Sequence, residues 1–316
     1  MNNIPLVSFC VLAYNQESFI GECVRSALAQ DYGRMEIILS DDGSSDRTYE
    51  IIKEIVSKYQ GGHNVIINRN ENNLGIIRHV NKVVYELAHG EIVVLMAGDD
   101  VSVVTRTSDS VKMLKDTGLS SLTMNLDYIG SGSEELNRTL YKPNDKFELF
   151  YLSNYLEDSN FFVCGSSRVI TRELLDFFGP FNDDAETEDT TFTLRALLFG
   201  GIVISNKIGV HYRVHENNIS GFNSLYTNFH PKNIYKQYLT DLDKAYNHKV
   251  ISEHQYSYVK RKIDRYLLSE TLKRDIFFAN GLLKKTKELC CSIKTKPTLK
   301  EFKAYLYVYL KTLLHR

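Results

Sequence analysis

Carboxylates gather at three places in this chain. Asp41-Asp42-Gly43-Ser44-Ser45-Asp46 forms a polar stretch, Asp99-Asp100 ends an apolar run, and Asp183 to Asp189 holds five acids in seven residues. Two adjacent carboxylates repel unless a positive charge lies beside them, and a hard divalent cation with oxygen ligands is the usual partner. The plainer reading of Asp99-Asp100 is a strand-to-loop turn with Asp100 as a helix N-cap. For Asp183 to Asp189 the plainer reading is a solvated acidic loop. A carboxylate set apart from a metal pair can also act as a general base, provided it reaches the proton it removes. Further on, His211-Tyr212-Arg213-Val214-His215 offers two imidazoles. Either could complete a metal site or simply pack. In one strand they would share a face, so periodicity does not separate them.

The elements that position these groups can be read from apolar patterning. Leu6 to Ala13 and Ile92 to Ala97 are continuous apolar runs of the kind that form buried parallel strands. Met35 to Leu39 and Val65 to Ile67 read as two more strands. Between them, apolar pairs over Phe19 to Leu28, Ile51 to Tyr59 and Ile76 to Leu87 predict amphipathic helices, with Asp46 as a cap for the second. Strand and helix thus alternate four times in the first hundred residues, which predicts a doubly wound α/β sheet. That topology brings the loops Ala13 to Asn15, Asp41 to Asp46 and Gly98 to Asp100 to one sheet edge, where ligands bind in such folds. The later chain is expected to hold a helix over Arg106 to Lys115, a strand over Leu119 to Leu126 and a turn-rich excursion over Gly130 to Pro143. Phe147 to Leu156 reads as a helix. Phe161 to Ile170 reads as a strand broken at Gly165-Ser166 by a bulge or a close backbone approach. A short helix over Leu174 to Phe181 and an amphipathic one after Asp189 come next, then strands over Gly201 to Ser205 and Ile208 to Val214. Helices are expected over Tyr235 to Tyr246, Tyr256 to Leu272 and Glu301 to Leu314.

The composition, 43% hydrophobic and 24% charged, is that of a globular protein with ample material for a core. A net charge of −1 does not suggest nucleic acid. The charge is uneven, however: Lys284 to Arg316 carries nine basic residues and two Glu, a net of +7 against −8 for the remainder. Such a tail points to an anionic surface as a partner. The five cysteines form no C-x-x-C pair, which fits free thiols in a reducing cytosol. No signal peptide pattern follows Met1, and no apolar stretch approaches the roughly 20 residues that span a bilayer.

Val7-Ser8 with Tyr14-Asn15, Asp41-Asp42-Gly43-Ser44-Ser45-Asp46, Asn73-Leu74-Gly75, and Gly90-Glu91 leading to Asp99-Asp100 together resemble the nucleotide-sugar half of a family 2 glycosyltransferase. The resemblance runs from about Pro5 to Ser220. It implies a GT-A fold, an α/β doubly wound mixed sheet with flanking helices. The catalytic domain would span 1–220, with a nucleotide-sugar half at about 1–118 and an acceptor half at about 119–220, and a helical extension over 221–316. It implies that Ala13, Tyr14 and Glu17 lie along the base and ribose of a nucleoside diphosphate. Asp42 would contact base or ribose, with Asn73 also at the donor. Asp99 and Asp100 match the end of the family's D-x-D metal motif, although Ala97 stands where the first Asp would be. That departure leaves open which of the two binds metal and which ribose. Gly165-Ser166 corresponds to the acceptor pocket. Glu188-Asp189, with Arg195 behind, resembles the family's E-D motif, whose Asp is the general base and whose Glu orients a loop or meets the acceptor. A C-terminal His, His215 in preference to His211, would complete the metal site, while Arg213 and Ser220 would meet phosphate.

The activity so implied is a metal-dependent inverting transfer, with Mn or Mg as cofactor, from a nucleotide-diphospho-sugar, UDP-linked by expectation, to a glycan or lipid-linked glycan. Surface polysaccharide or lipopolysaccharide assembly is the common setting, and the expected location is cytoplasmic or peripheral on the inner face of the membrane. The Tyr- and Leu-rich terminal helix would pack on the catalytic domain or lie on a membrane surface. Two other readings compete. A nucleotidyltransferase would show a Gly-rich N-terminal loop with a nearby basic residue, and Leu12 to Gln16 has neither. A non-catalytic sugar- or membrane-binding protein would need neither Asp189 nor a metal pair.

Overall fold

A computed structural model of the chain describes residues 4–157, 165–216 and 230–314. The chain divides into two compact units, Met1–Glu216 with Asn247–Val250, and Asn217–Tyr246 with Ile251–Arg316.

The first unit is built on one mixed sheet. Its first half comprises β1 (Val7–Ala13), β2 (Met35–Asp41), β3 (Asn64–Arg69) and β4 (Ile92–Ala97), all parallel in the order β3-β2-β1-β4. β1 and β2 are buried almost end to end, and helices cover both faces of this half of the sheet. These helices are α1 (Ile20–Leu28), α2 (Thr48–Val56) and α3 (Ile76–Asn81), which continues as a π-helical turn over Lys82–Leu87. Phe9, Val11, Ile37, Leu39, Val94 and Met96 form the centre of the core. Register sets the functional edge. Ala13 lies opposite Asp41, Leu12 opposite Ala97, and Asp41 opposite Arg69. The four strands therefore end within a residue of one level, and the residues that follow them share one rim.

The second half of the sheet departs more from the sequence reading. After a two-residue strand β5 (Val101–Ser102) and helix α4 (Arg106–Thr117) come β6 (Ser121–Ile129) and β7 (Glu135–Thr139), an antiparallel hairpin over the expected turn-rich stretch. Phe147 to Phe150, expected to be helical, is strand β8, and only Leu152–Glu157 (α5) is helix. β8 finds its partner on β10 (Ile202–Arg213), a contact far along the chain that local pattern does not reveal. β10 is one strand instead of the two expected, with irregular register between Ser205 and Val210. β9 (Arg168–Thr171) runs antiparallel between β4 and β6 and joins the two halves of the sheet. A single 3-10 turn, Gly165–Ser167, precedes it. The stretch from Phe161 to Cys164 lies outside the described residues. Helices α6 (Arg172–Phe178) and α7 (Glu188–Phe199) complete the unit. Arg195 ties them: it is fully buried, donates to the Gly179 carbonyl at 2.8 Å and sits over the Phe181 ring.

The second unit contains α8 (Pro231–Asn247, most of its length), α9 (Glu253–Phe278), α10 (Leu282–Lys294) and α11 (Leu299–Leu314). α9 starts on a capping box formed by Ser252 and Gln255. α10 was not legible in the sequence, because its lysines interrupt the apolar pattern. Among the described residues, no helix is long and apolar enough to cross a membrane.

Candidate active site

The first group of site residues is the rim of β1 and β2. Asn15 adopts a positive φ of 50° and turns the chain sharply after β1. Its N–H donates to Ser44 Oγ at 2.8 Å, and the next amides, of Gln16 and Glu17, donate to Thr48 Oγ1 and Asp46 Oδ2 at 2.7 and 3.0 Å. Glu17 in return accepts from the Arg47 N–H at 3.0 Å. The two loops thus form one body. Ala13 is buried beneath it, and Tyr14 stands out from it, 45% exposed. Asp42, expected at the base or ribose, is placed differently: its carboxylate is buried and accepts from Asn70 Nδ2 at 2.7 Å and from the Leu74 and Gly75 amides at 3.0 and 3.1 Å. In this arrangement it holds the 72–75 turn against the rim. Gly43, at φ 73°, permits that contact, since a Cβ there would lie 2.8 Å from the Asn72 backbone. Asn73 closes the same turn through its Oδ1, which accepts from the Gly75 N–H at 2.7 Å, and remains exposed. Asn15 and Ser44 entered the sequence reading only as members of quoted motifs, and Thr48 and Asn70 not at all; the density of Ser, Thr and Asn beside Asp41–Asp46 was the available signal.

The second group surrounds the end of β4. The two adjacent acids have separate fates. Asp100 is fully buried; Oδ1 accepts from the Arg213 N–H at 2.9 Å, and Oδ2 makes no hydrogen bond. Burial, reinforced by the charge of Asp99, pushes its carboxyl well above the usual range. Asp99 instead turns to His215, with Oδ2 3.0 Å from Nε2. The His215 ring stacks on Phe19 at 4.7 Å. His211 goes elsewhere, to Asp127 at 2.6 Å. β10 ends at Arg213, so the shared-face argument never applied to His215.

Arg213, expected at a phosphate, makes its contacts within the protein. Its guanidinium is buried and donates to the Asp99 carbonyl at 2.8 Å, Glu22 Oε2 at 2.7 Å, and the Gly130 carbonyl and Ser133 Oγ of the hairpin at 3.1 and 2.9 Å. It braces the β6–β7 turn, α1 and the Asp99 backbone together. A strand-end arginine looks the same in sequence whether it faces a ligand or an internal fork of carbonyls. Ser220 lies outside the described residues.

The third group is Gly165, Ser166, Glu188 and Asp189. Asp189 opens α7, and its carboxylate lies against the Gly165 backbone so closely that a Cβ on Gly165 would fall 1.5 Å from Oδ1. The close approach expected of Gly165 is therefore an approach to Asp189. The far side of the same turn meets β4: Arg106 bridges the Ser166 and Leu95 carbonyls at 3.1 and 2.8 Å, and the Ser166 hydroxyl is near enough to Asp100 to favour its ionised form. Glu188 and Asp189 sit deep among protein atoms while keeping part of their surface open. Burial and the neighbouring Asp189 charge push Glu188 up to about 8. Burial also raises Asp189, opposed by Arg168 and by the hydrogen bond from Glu188. The two acids form a coupled pair in which burial favours holding a proton. Arg168 fixes the start of α7, donating to the Asp189 carbonyl at 3.2 Å and Thr193 Oγ1 at 2.7 Å.

Residues 8–178 match the model of glycosyl transferase family 2. The chain belongs to that family. It is a glycosyltransferase. An uncharacterized glycosyltransferase of Haemophilus influenzae is 43% identical over 81 residues, 26% of this chain and 24% of that protein. The Escherichia coli protein WfaP, a UDP-Glc:alpha-D-GlcNAc-diphosphoundecaprenol beta-1,3-glucosyltransferase, is 32% identical over 112 residues, 35% of this chain and 42% of WfaP. The chain thus spans less than half the length of these relatives. Among solved structures, S. aureus TarS 1–349 in complex with UDP-GlcNAc superimposes with a TM-score of 0.65 at 19% identity, covering 98% of this chain and 92% of that one. The mannosyltransferase PcManGT of Pyrobaculum calidifontis, in complex with GDP-Man and Mn²⁺, gives 0.54 at 15% identity, covering 99% and 88%. At these identities the likeness speaks to the fold. The family match ends before Glu188, so the roles of Glu188, Asp189, Arg213 and His215 rest on geometry.

Proposed function

We propose that this glycosyltransferase moves a sugar from a nucleotide-diphospho-sugar to an acceptor hydroxyl with inversion, assisted by a divalent cation, in the assembly of a surface polysaccharide. The observation that carries the reading is the Gly165–Ser167 turn, with Asp99-Asp100 on one flank and Glu188-Asp189 on the other. Donor chemistry and acceptor chemistry need opposite acids, one to face a diphosphate and one to take a proton, and the turn sets them on its two sides.

Tyr14, Glu17 and Asn73 are exposed at the rim of β1 and β2 and would line the base and ribose; Ala13 and Asp42 hold their supports. Among the described residues, no three His, Cys, Asp or Glu side chains converge as a metal cluster. The Asp99–His215 pair nonetheless fits a cation that is otherwise ligated by substrate: a carboxylate oxygen and an imidazole nitrogen face each other at 3.0 Å. We assign Asp99 and His215 as the metal residues and Asp100 as the buried support of the pair. A bound Mn²⁺ or Mg²⁺ would neutralise the departing diphosphate as a Lewis acid. Asp189 takes the proton of the acceptor hydroxyl as the new C–O bond forms, and Glu188, keeping its own proton, donates to Asp189 and orients it. One base beside the turn suits direct displacement. The UDP-sugar ligands of TarS and WfaP support a UDP-linked donor, and the diphosphoundecaprenol acceptor of WfaP supports a lipid-linked glycan.

The test has two parts. A thermal-shift screen of UDP-, GDP-, CDP- and dTDP-sugars with and without Mn²⁺ should show one family of donors raising stability only with metal. With that donor, Asp189→Asn should lower transfer by about 10²–10⁴-fold while donor affinity holds. Near-normal turnover in Asp189→Asn would remove it as the base.

A further inference from the structure

The helical unit carries a surface that its own packing does not explain. α10 and α11 bury their inner residues against α9, where Ile276, Tyr305 and Val308 form the core with Leu272 and Leu289. Their outer residues should then be polar. Instead Leu283 is 89% exposed and Ile293 45% on α10, and Leu299 is 71%, Tyr307 54% and Leu310 48% exposed on α11. Singly exposed apolar residues are ordinary, but five of this size on two adjacent helices are not.

The charge around them has one sign. Lys284, Lys287 and Lys294 of α10 and Lys300 and Lys303 of α11 are exposed. The two helices contain only two acids, Glu288 and Glu301. Glu301 is neutralised from within, because Arg265 of α9 donates to both its oxygens, through Nε and Nη2, at 2.6 Å. Lys285 is the contrast: it turns inward and donates to the Ile276 and Phe277 carbonyls at 3.3 and 3.1 Å. Lys284, Lys287, Lys294, Lys300 and Lys303 are exposed on the same helices as the exposed leucines. Leucine and tyrosine at the depth of lipid headgroups, with lysine stems lying along the apolar surface and ammonium groups among phosphates, is the composition of an interfacial helix.

We infer that the outer face of α10 and α11 docks on an anionic bilayer surface and holds the protein peripherally at a membrane. A second copy of this chain is disfavoured as the occupant, since it would set the same lysines against each other. An acidic protein would satisfy the charge but not the exposed leucines among it. The inference is independent of which sugar is transferred.

The experiment is vesicle flotation of the full chain. Vesicles of phosphatidylcholine with about a third phosphatidylglycerol should float the protein at low salt, and about 0.5 M salt should release most of it. Each basic residue near an anionic leaflet contributes up to about fivefold in partitioning, so a variant with Lys284→Gln, Lys287→Gln, Lys300→Gln and Lys303→Gln should lose at least about tenfold. Leu283→Ser with Leu310→Ser should also weaken flotation, because the apolar contact is part of the affinity. All six side chains are exposed, so melting curves should be unchanged. Several results overturn the inference: no flotation of the wild type, equal flotation on pure phosphatidylcholine, or undiminished flotation of the lysine variant. Self-association abolished by Leu283→Ser, without vesicle binding, would assign the face to a second copy instead.

Discussion

Gly165→Ala is the sharpest perturbation of the proposed acceptor side. Alanine is the smallest possible change, and at most glycines it would cost little. Here the added methyl falls 1.5 Å from Asp189 Oδ1, 2.0 Å from Cγ and 2.2 Å from Oδ2. Since real contacts of this kind begin near 3.0 Å, the carboxylate must retreat by about 1.5 Å or the turn must move away from it. Asp189 is braced by its neighbour Glu188 and by Arg168 at its carbonyl, and Ser166 is braced by Arg106. Neither side yields without breaking a buried contact. A misplacement of about 1 Å in reacting groups costs about 10²-fold, so transfer should fall by at least that much. The nucleotide rim lies on other loops, and donor affinity should be unchanged. The assay is turnover beside a titration of the donor and a melting curve, which separates misplacement from unfolding. The double variant Gly165→Ala, Asp189→Asn should be no worse than Asp189→Asn alone if both act through one carboxylate. Turnover of Gly165→Ala within about twofold of wild type, or a double variant at the product of the two losses, would refute the placement of Asp189.

Two other outcomes follow from the acids. Asp99→Ala should weaken Mn²⁺-dependent nucleotide binding with little loss of stability. Asp100→Ala should do the reverse, costing about 1–3 kcal/mol in urea unfolding because it strands the buried Arg213 N–H; a stable Asp100→Ala that has lost metal would reverse the assignment. Glu188 gives a pH dependence. Its folded pKa is raised from 4.5 to about 8, so the folded state holds a proton that the unfolded chain releases. Stability should therefore fall as pH rises through that window, and Glu188→Gln should flatten the slope in unfolding titrations from pH 5 to 8; an unaltered slope would show that Glu188 is not the proton carrier.

The half of the fold made of consecutive strand-helix units was legible, because each strand pairs with a near neighbour and apolar periodicity reports burial directly. The second half was less so. β8 is a strand only because β10 accepts it, and β10 is one strand because β6 and β8 carry it through its irregular stretch. Those causes lie more than fifty residues away. The same distinction separates the site residues. Gly165 and Asp189 could each be singled out by type, but not their contact. Asp42 and Arg213 could likewise be singled out by type, but not the contacts that each makes with distant backbone groups of its own chain. A carboxylate or guanidinium beside a loop has the same sequence signature whether it meets a ligand or its own backbone.

Arg213 also explains why two adjacent acids can behave differently without a third. Where the family motif has its first Asp, this chain has Ala97, so no second carboxylate competes for the outward position at the end of β4. Arg213 then fixes the pair from behind: its N–H holds the Asp100 carboxylate inward and its Nε holds the Asp99 carbonyl. With both neighbours pinned, the Asp99 side chain is directed outward, and the chain leaving Arg213 brings His215 to it two residues later. One short segment thus braces Asp100 and the Asp99 backbone and brings the His215 imidazole to the Asp99 carboxylate, so moving it would disturb both contacts at once.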